Sequence, residues 1–102
     1  MSTNFQNYVT VEVTYMRKEC EKILKELFYN ELIKTRNEQN LTQEDMAQLL
    51  MMDVRSYIEL DHGCSCCGAV TLCQFLCFCH KNPVEFINNY KISVERQIGN
   101  VA

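Results

Sequence analysis

The chain has 102 residues, 47% of them hydrophobic and 23% charged, with a formal net charge of −3. That size allows one domain with one core, and a single Pro and three Gly are too few for an all-β chain full of turns. No run approaches the roughly 18 apolar residues of a membrane span, and the acidic balance denies the chain the bulk positive charge typical of many nucleic-acid binders.

The first ten residues, MSTNFQNYVT, lack a positive region and an apolar core, so no secretory signal is expected. Seven cysteines without such a signal argue for a reducing, cytoplasmic setting and against a disulfide framework. From Tyr8 to Tyr15 the chain alternates. Val9, Val11, Val13 and Tyr15 fall on one side, and Thr10, Glu12 and Thr14 on the other. Period two with β-branched residues predicts a strand, so residues 1–15 are expected to form an N-terminal arm or strand. A lone strand needs a partner. Either two copies pair antiparallel across a dimer axis, or the segment packs as an extended arm along its own helical body.

From Arg17 to about Gln39 the period becomes helical. Cys20, Ile23, Leu24, Leu27, Phe28 and Leu32 share one broad face, with lysines and glutamates on the others. Asn40 is placed to end this helix, because Asn tolerates the left-handed conformation.

The stretch from Leu41 to Gly63 reads as two short helices around a tight turn. Thr42 is a good N-cap, and Asp45 three residues later gives an approximate capping box. Met46, Ala47 and Leu50 recur at helical spacing. Asp53 can cap a second helix, whose inward stripe is Tyr57 and Leu60, and Gly63 ends it. Helices this short do not repay their nucleation cost alone, so they must pack on each other and on a scaffold. Together they read as a helix-turn-helix.

After Gly63, a helix of three or four turns is expected between Gly68 and Asn82-Pro83. Its inward stripe is Ala69, Leu72, Phe75, Leu76 and Cys79, with Cys73, Cys77 and His80 on an adjoining stripe and Phe78 in the arc that should be polar. A helix apolar nearly all round is covered on more than one side. Cys73, Cys77 and Phe78 are therefore expected at a subunit contact, as are Val9, Val11 and Val13 of the arm. A last helix, Val84 to about Ile98, carries Ile87, Tyr90, Val94 and Ile98 near one seam with Phe86 flanking. The tail 99–102 follows. The fold expected is all-α, five helices over residues 16–98.

From about Phe28 to Phe86 this chain resembles the phage-repressor (Cro/cI, or XRE) type of helix-turn-helix domain. The family's pattern stands here as Leu41, Thr42, Gln43, Glu44, Met46 and Ala47, then Leu60, Asp61 and Gly63, with Arg36 about five residues before Leu41. Two positions depart from it. Met51 stands where the turn usually carries Gly, and Asp61 where the acid is usually Glu. The resemblance implies an Arg36–Asp61 ion pair and a homodimer that binds double-stranded DNA to regulate transcription. It puts Gln43 at a phosphate-contact position and Val54, Arg55, Ser56 and Glu59 at base-reading or backbone positions. By its chemistry Arg55 is the one strong reader, able to bind guanine bidentately.

Against direct DNA binding stands the local charge. Five carboxylates (Glu44, Asp45, Asp53, Glu59 and Asp61) face Arg55 alone between Thr42 and Gly63, a net of −4. Ile58, also outward, suits a protein surface better. The second reading is thus the same fold used to bind another regulator protein. The cysteines could also serve as metal ligands or as redox sensors. His62, Cys64, Cys66 and Cys67 lie close in sequence, yet without the paired Cys-x-x-Cys spacing of a zinc site. Their expected role is structural or at an interface, with no metal and no cofactor. Catalysis is the class least supported, since no oriented nucleophile and base can be read from the chain.

Overall fold

The computed structural model describes residues 3–79 and 82–99, with side chains from Tyr15 onward. Its elements are helices α1 (Thr3–Glu38), α2 (Gln43–Leu49), α3 (Val54–Asp61), α4 (Ala69–Phe78) and α5 (Pro83–Ile98). Among the described residues there is no strand, and the chain is all-α.

The N-terminal expectation is overturned. Residues 8–15, expected as a strand or arm, continue α1 without a break. The physical reason is cooperativity. Once residues 16–38 are helical, each further residue needs no new nucleus and gains one backbone hydrogen bond. That outweighs the few tenths of a kcal/mol by which Val and Thr disfavour a helix. A helix of 36 residues is about 54 Å long, matching the molecule's longest extent of 54 Å. The segment is therefore not an arm folded back over the body. The side chains of Val9, Val11 and Val13, expected at a subunit contact, lie outside the described residues, as does His80.

Three successive helices end the same way. Leu41 N–H bonds Arg36 C=O, Met52 N–H bonds Ala47 C=O, and Cys64 N–H bonds Glu59 C=O. Each is the wide closing bond of a Schellman motif. The residue just before each donor is left-handed, with φ of 53° at Asn40, 56° at Met51 and 71° at Gly63. Gly and Asn adopt this backbone at little cost. At Met51 the Cβ crowds the carbonyl at a cost of about 1 kcal/mol.

Both helix starts read from sequence are present. Thr42 Oγ1 accepts from Asp45 N–H at 3.0 Å while Asp45 Oδ2 accepts from Thr42 N–H at 3.0 Å. Asp53 Oδ1 accepts from Ser56 N–H at 2.8 Å. Asn82 caps α5 through Glu85 N–H, with Pro83 in the first turn.

The core joins Phe28 and Leu32 of α1, Met46, Ala47 and Leu50 of α2 and its end, Tyr57 and Leu60 of α3, Phe75 and Leu76 of α4, and Phe86 of α5. Phe28 and Phe75 meet edge to face, centroids 5.2 Å apart. Nearer the N-terminal side, Ile23 and Val94 are buried and the Tyr90 hydroxyl meets the Cys20 thiol, fastening α5 to α1. Two inward stripes differ from expectation. Ala69 is exposed, so α4 turns inward only from Leu72 onward. In α5 Phe86 is buried and Ile87 is exposed, which moves the seam by one residue. The larger ring wins the core because it removes more apolar surface from water.

Candidate nucleic-acid interface

The two capped helices α2 and α3 pack on each other through Met46, Ala47, Leu50, Tyr57 and Leu60, all nearly fully buried. This leaves the opposite side of α3 turned outward on a small rigid unit. Besides the shared core, one carboxylate, Asp61 at the last turn of α3, ties the unit to α1.

Asp61 is 6% exposed and receives groups from three helices. Arg36 of α1 brings Nη2 to 3.4 Å from Oδ2 and Nε to 3.1 Å from Oδ1. Gln43 of α2 donates Nε2–H to Oδ2 at 3.0 Å, and Tyr57 of α3 donates its hydroxyl to Oδ1 at 2.9 Å. The Arg36 Nε contact is within ion-pair reach, but the buried N–H is turned off the line and makes no hydrogen bond. Its attraction to Oδ1 is Coulombic, and Nη2 carries the hydrogen bond. Burial, then the bond to Asp61, push the Tyr57 hydroxyl well above the usual tyrosine range, so it stays a donor at every working pH. Asp is one methylene shorter than Glu, and Arg36 nevertheless comes within ion-pair reach of it. The resemblance points to Arg36 and Asp61 only. The Gln43 and Tyr57 bonds were not foreseen, although Tyr57 stands four residues before Asp61, a spacing at which helical side chains meet.

The five positions named for DNA contact lie in different settings. Arg55 is exposed and makes no hydrogen bond or ion pair among the described residues. Val54 is half-buried and packs on the core, so only part of it remains to meet a base methyl. Ser56 donates its hydroxyl to Asp53 Oδ2 at 3.0 Å. Gln43 has one amide hydrogen committed to Asp61 and keeps the other. Glu59 is exposed and accepts from Ser65 Oγ at 3.4 Å. Ile58 is half-buried.

The same geometry sorts the acids. Asp45 and Asp53 are consumed as caps, and the backbone N–H groups of Thr42 and Ser56, respectively, hold their carboxyls below the usual range. Asp61 is paired with Arg36. Asp45 and Asp53 stay ionised and exposed, so of the five carboxylates only Asp61 is charge-neutralised, and Glu44, Asp45, Asp53 and Glu59 are left to repel a polyanion.

The thiols split by environment. Cys79 is buried, and Cys67 packs on the core with burial pushing its thiol up to about 12. Cys64, Cys66, Cys73 and Cys77 are exposed. Among the described residues no three His, Cys, Asp or Glu side chains converge as metal ligands would. Cys73, Cys77 and Phe78, expected at a subunit contact, all lie on the open face of α4, Phe78 67% exposed.

Compared with family models, with curated proteins and with solved structures, the chain matches none of them.

Proposed function

We propose that this chain is a bacterial or phage-type transcriptional regulator of the Cro/cI (XRE) helix-turn-helix class, cytoplasmic and without chemistry of its own, acting as a homodimer on double-stranded DNA. In this reading α2 and α3 are the helix-turn-helix, and α3 enters the major groove. The observation that carries it is the combination at α3. Two caps, three left-handed helix ends and the Asp61 contacts fix α3 rigidly, while Arg55, its one cation, is left outward and unpaired. A rigid helix with a free guanidinium on its outer face is what bidentate reading of guanine requires. The dimer is supported by the exposed apolar residues of α4 and α5, which include Val70, Phe78, Val84 and Ile87, because covering them with a second copy removes apolar surface from water.

A second reading has its own observation. Glu59 is exposed one helical turn from Arg55, and half-buried Ile58 adds apolar surface to the outer side of α3. This suits a protein partner, such as another regulator. Paired substitutions separate the two. For DNA, Arg55→Ala weakens specific binding by roughly 1–3 kcal/mol and relaxes one position of each half-site, while Ile58→Ala has little effect. A protein module gives the reverse order.

A further inference from the structure

Arg55 is the only cation of α2 and α3, so a duplex bound there must find its other cationic phosphate contacts on another element. The first helix supplies a stripe of them. Projected at 100° per residue, Lys18, Lys22, Lys25 and Tyr29 fall within about 60° of arc. Lys18 and Lys22 are exposed, and neither takes part in a salt bridge among the described residues. Of the flanking acids, Glu21 is turned to Arg17 at 3.6 Å, which leaves Glu26 as the nearest unneutralised one.

The lower end of this stripe lies against the end of α3. Tyr29 stacks under Gly63, where a Cβ would sit 3.3 Å from the ring, and Lys25 Nζ reaches the Cys64 carbonyl at 3.5 Å. Between them opens a cleft of about 440 Å³ lined by Lys22, Lys25, Glu26, Tyr29, His62 and Gly63. Lys25 spends one of three ammonium hydrogens on the carbonyl and keeps two. From Lys18 to Lys25 the stripe runs about 10 Å along the helix, long enough to follow a polyanion rather than hold one small ion. The contact Lys25 makes with the loop after α3 ties the stripe to the same unit that carries Arg55.

We infer that the Lys18–Lys22–Lys25 stripe of α1, with the cleft at its lower end, is a phosphodiester-binding surface that tracks the backbone of a nucleic-acid duplex beside α3. It deepens the DNA-binding reading by assigning the sequence-independent part of the contact to α1. Backbone phosphate contacts position a duplex without reading it, and each one neutralised adds about 0.9 to the steepness of the salt dependence.

The test uses the full chain and a duplex of mixed sequence, titrated at several salt concentrations from about 50 mM upward. Wild type should bind weakly, with a salt slope that Lys22→Gln together with Lys25→Gln lowers by about two. Glu26→Gln should tighten binding, an effect that a misfolded variant cannot mimic. Absence of wild-type binding at low salt, or a slope unchanged in the lysine double variant, overturns the assignment. So does saturable binding of inorganic phosphate that the lysine pair abolishes while the duplex is ignored, which makes the cleft a small-anion site instead. If mixed-sequence binding follows the lysines but no sequence is preferred, the role given to α3 fails and this one stands.

Discussion

The unit around Asp61 and the outer faces of α4 and α5 are opposites. At Asp61 one buried carboxylate collects an arginine, an amide and a phenol from three helices. On α4 and α5, Val70, Phe78, Val84 and Ile87 stand 49% to 76% exposed, uncovered among the described residues. The first region is finished within one chain; the second is not. The difference separates what holds the monomer from what the proposed second copy would cover, and in the proposed reading the rigid, finished part carries the reading helix.

The contrast is broken most severely at its closed end. Asp61→Ala strands a three-quarters-buried guanidinium and unpairs Gln43 and Tyr57, so unfolding in urea should show a loss of about 3 kcal/mol. A loss under about 1 kcal/mol, the worth of an exposed pair, would mean that the carboxylate does not hold the helices together. At the open end, the expected effect falls on assembly. Phe78→Ser removes a ring worth about 2 kcal/mol when fully buried. Sedimentation should then show dimer dissociation shifted by well over tenfold, with the monomer's melting temperature nearly unchanged. A wild-type chain that stays monomeric at micromolar concentration would leave the open faces unexplained by a dimer.

How far the sequence disclosed this division differs by region. The caps at Thr42 and Asp53, the left-handed ends at Asn40 and Gly63, and the inward residues Met46, Ala47, Leu50, Tyr57 and Leu60 are local features, set by residues within four positions of one another. They were readable. The period-two pattern of residues 8–15 was also real, but it lost to the helix that follows it. The signal against a strand lay in the same residues, since Val9, Val13, Met16, Cys20 and Ile23 recur at alternating spacings of four and three, which is helical. The choice of Phe86 over Ile87, and the Val54 contact with the core, depend on distant elements that no local pattern encodes. The Gln43 amide bond to Asp61 spans 18 residues, beyond the reach of any helix period. The resemblance supplied Arg36 and Asp61, and geometry alone supplied the rest of that cluster.

A smaller effect is expected at the turn. Met51 is 79% exposed and left-handed, so it loses little packing when shortened. Met51→Gly should raise stability by about 1 kcal/mol, read as a higher urea midpoint at unchanged slope. A decrease would show that the contact from the Gln74 amide to the Met51 sulfur outweighs the backbone strain.

The slightest effect is one of pH. Asp45 and Asp53 have folded-state pKa values below their unfolded ones. Their capping contribution is therefore fully present above about pH 4, the ordinary carboxylate value, and lost as pH falls through the lower folded values. Amide exchange in α2 and α3 should be flat from pH 7 to 5 after correction for intrinsic rates, then rise on further acidification. Asp45→Asn with Asp53→Asn should flatten that rise. A loosening that begins near pH 6 would require another group.

The central claim is that the rigid unit presents α3 to a DNA sequence through Arg55. It is tested most directly by selecting duplexes from a random-sequence library on the wild-type chain and on Arg55→Ala at the same salt. The wild type should enrich a two-fold symmetric site with a guanine in each half that Arg55→Ala no longer requires. No enrichment over the input library would contradict the claim and leave the outer face of α3 to a protein partner.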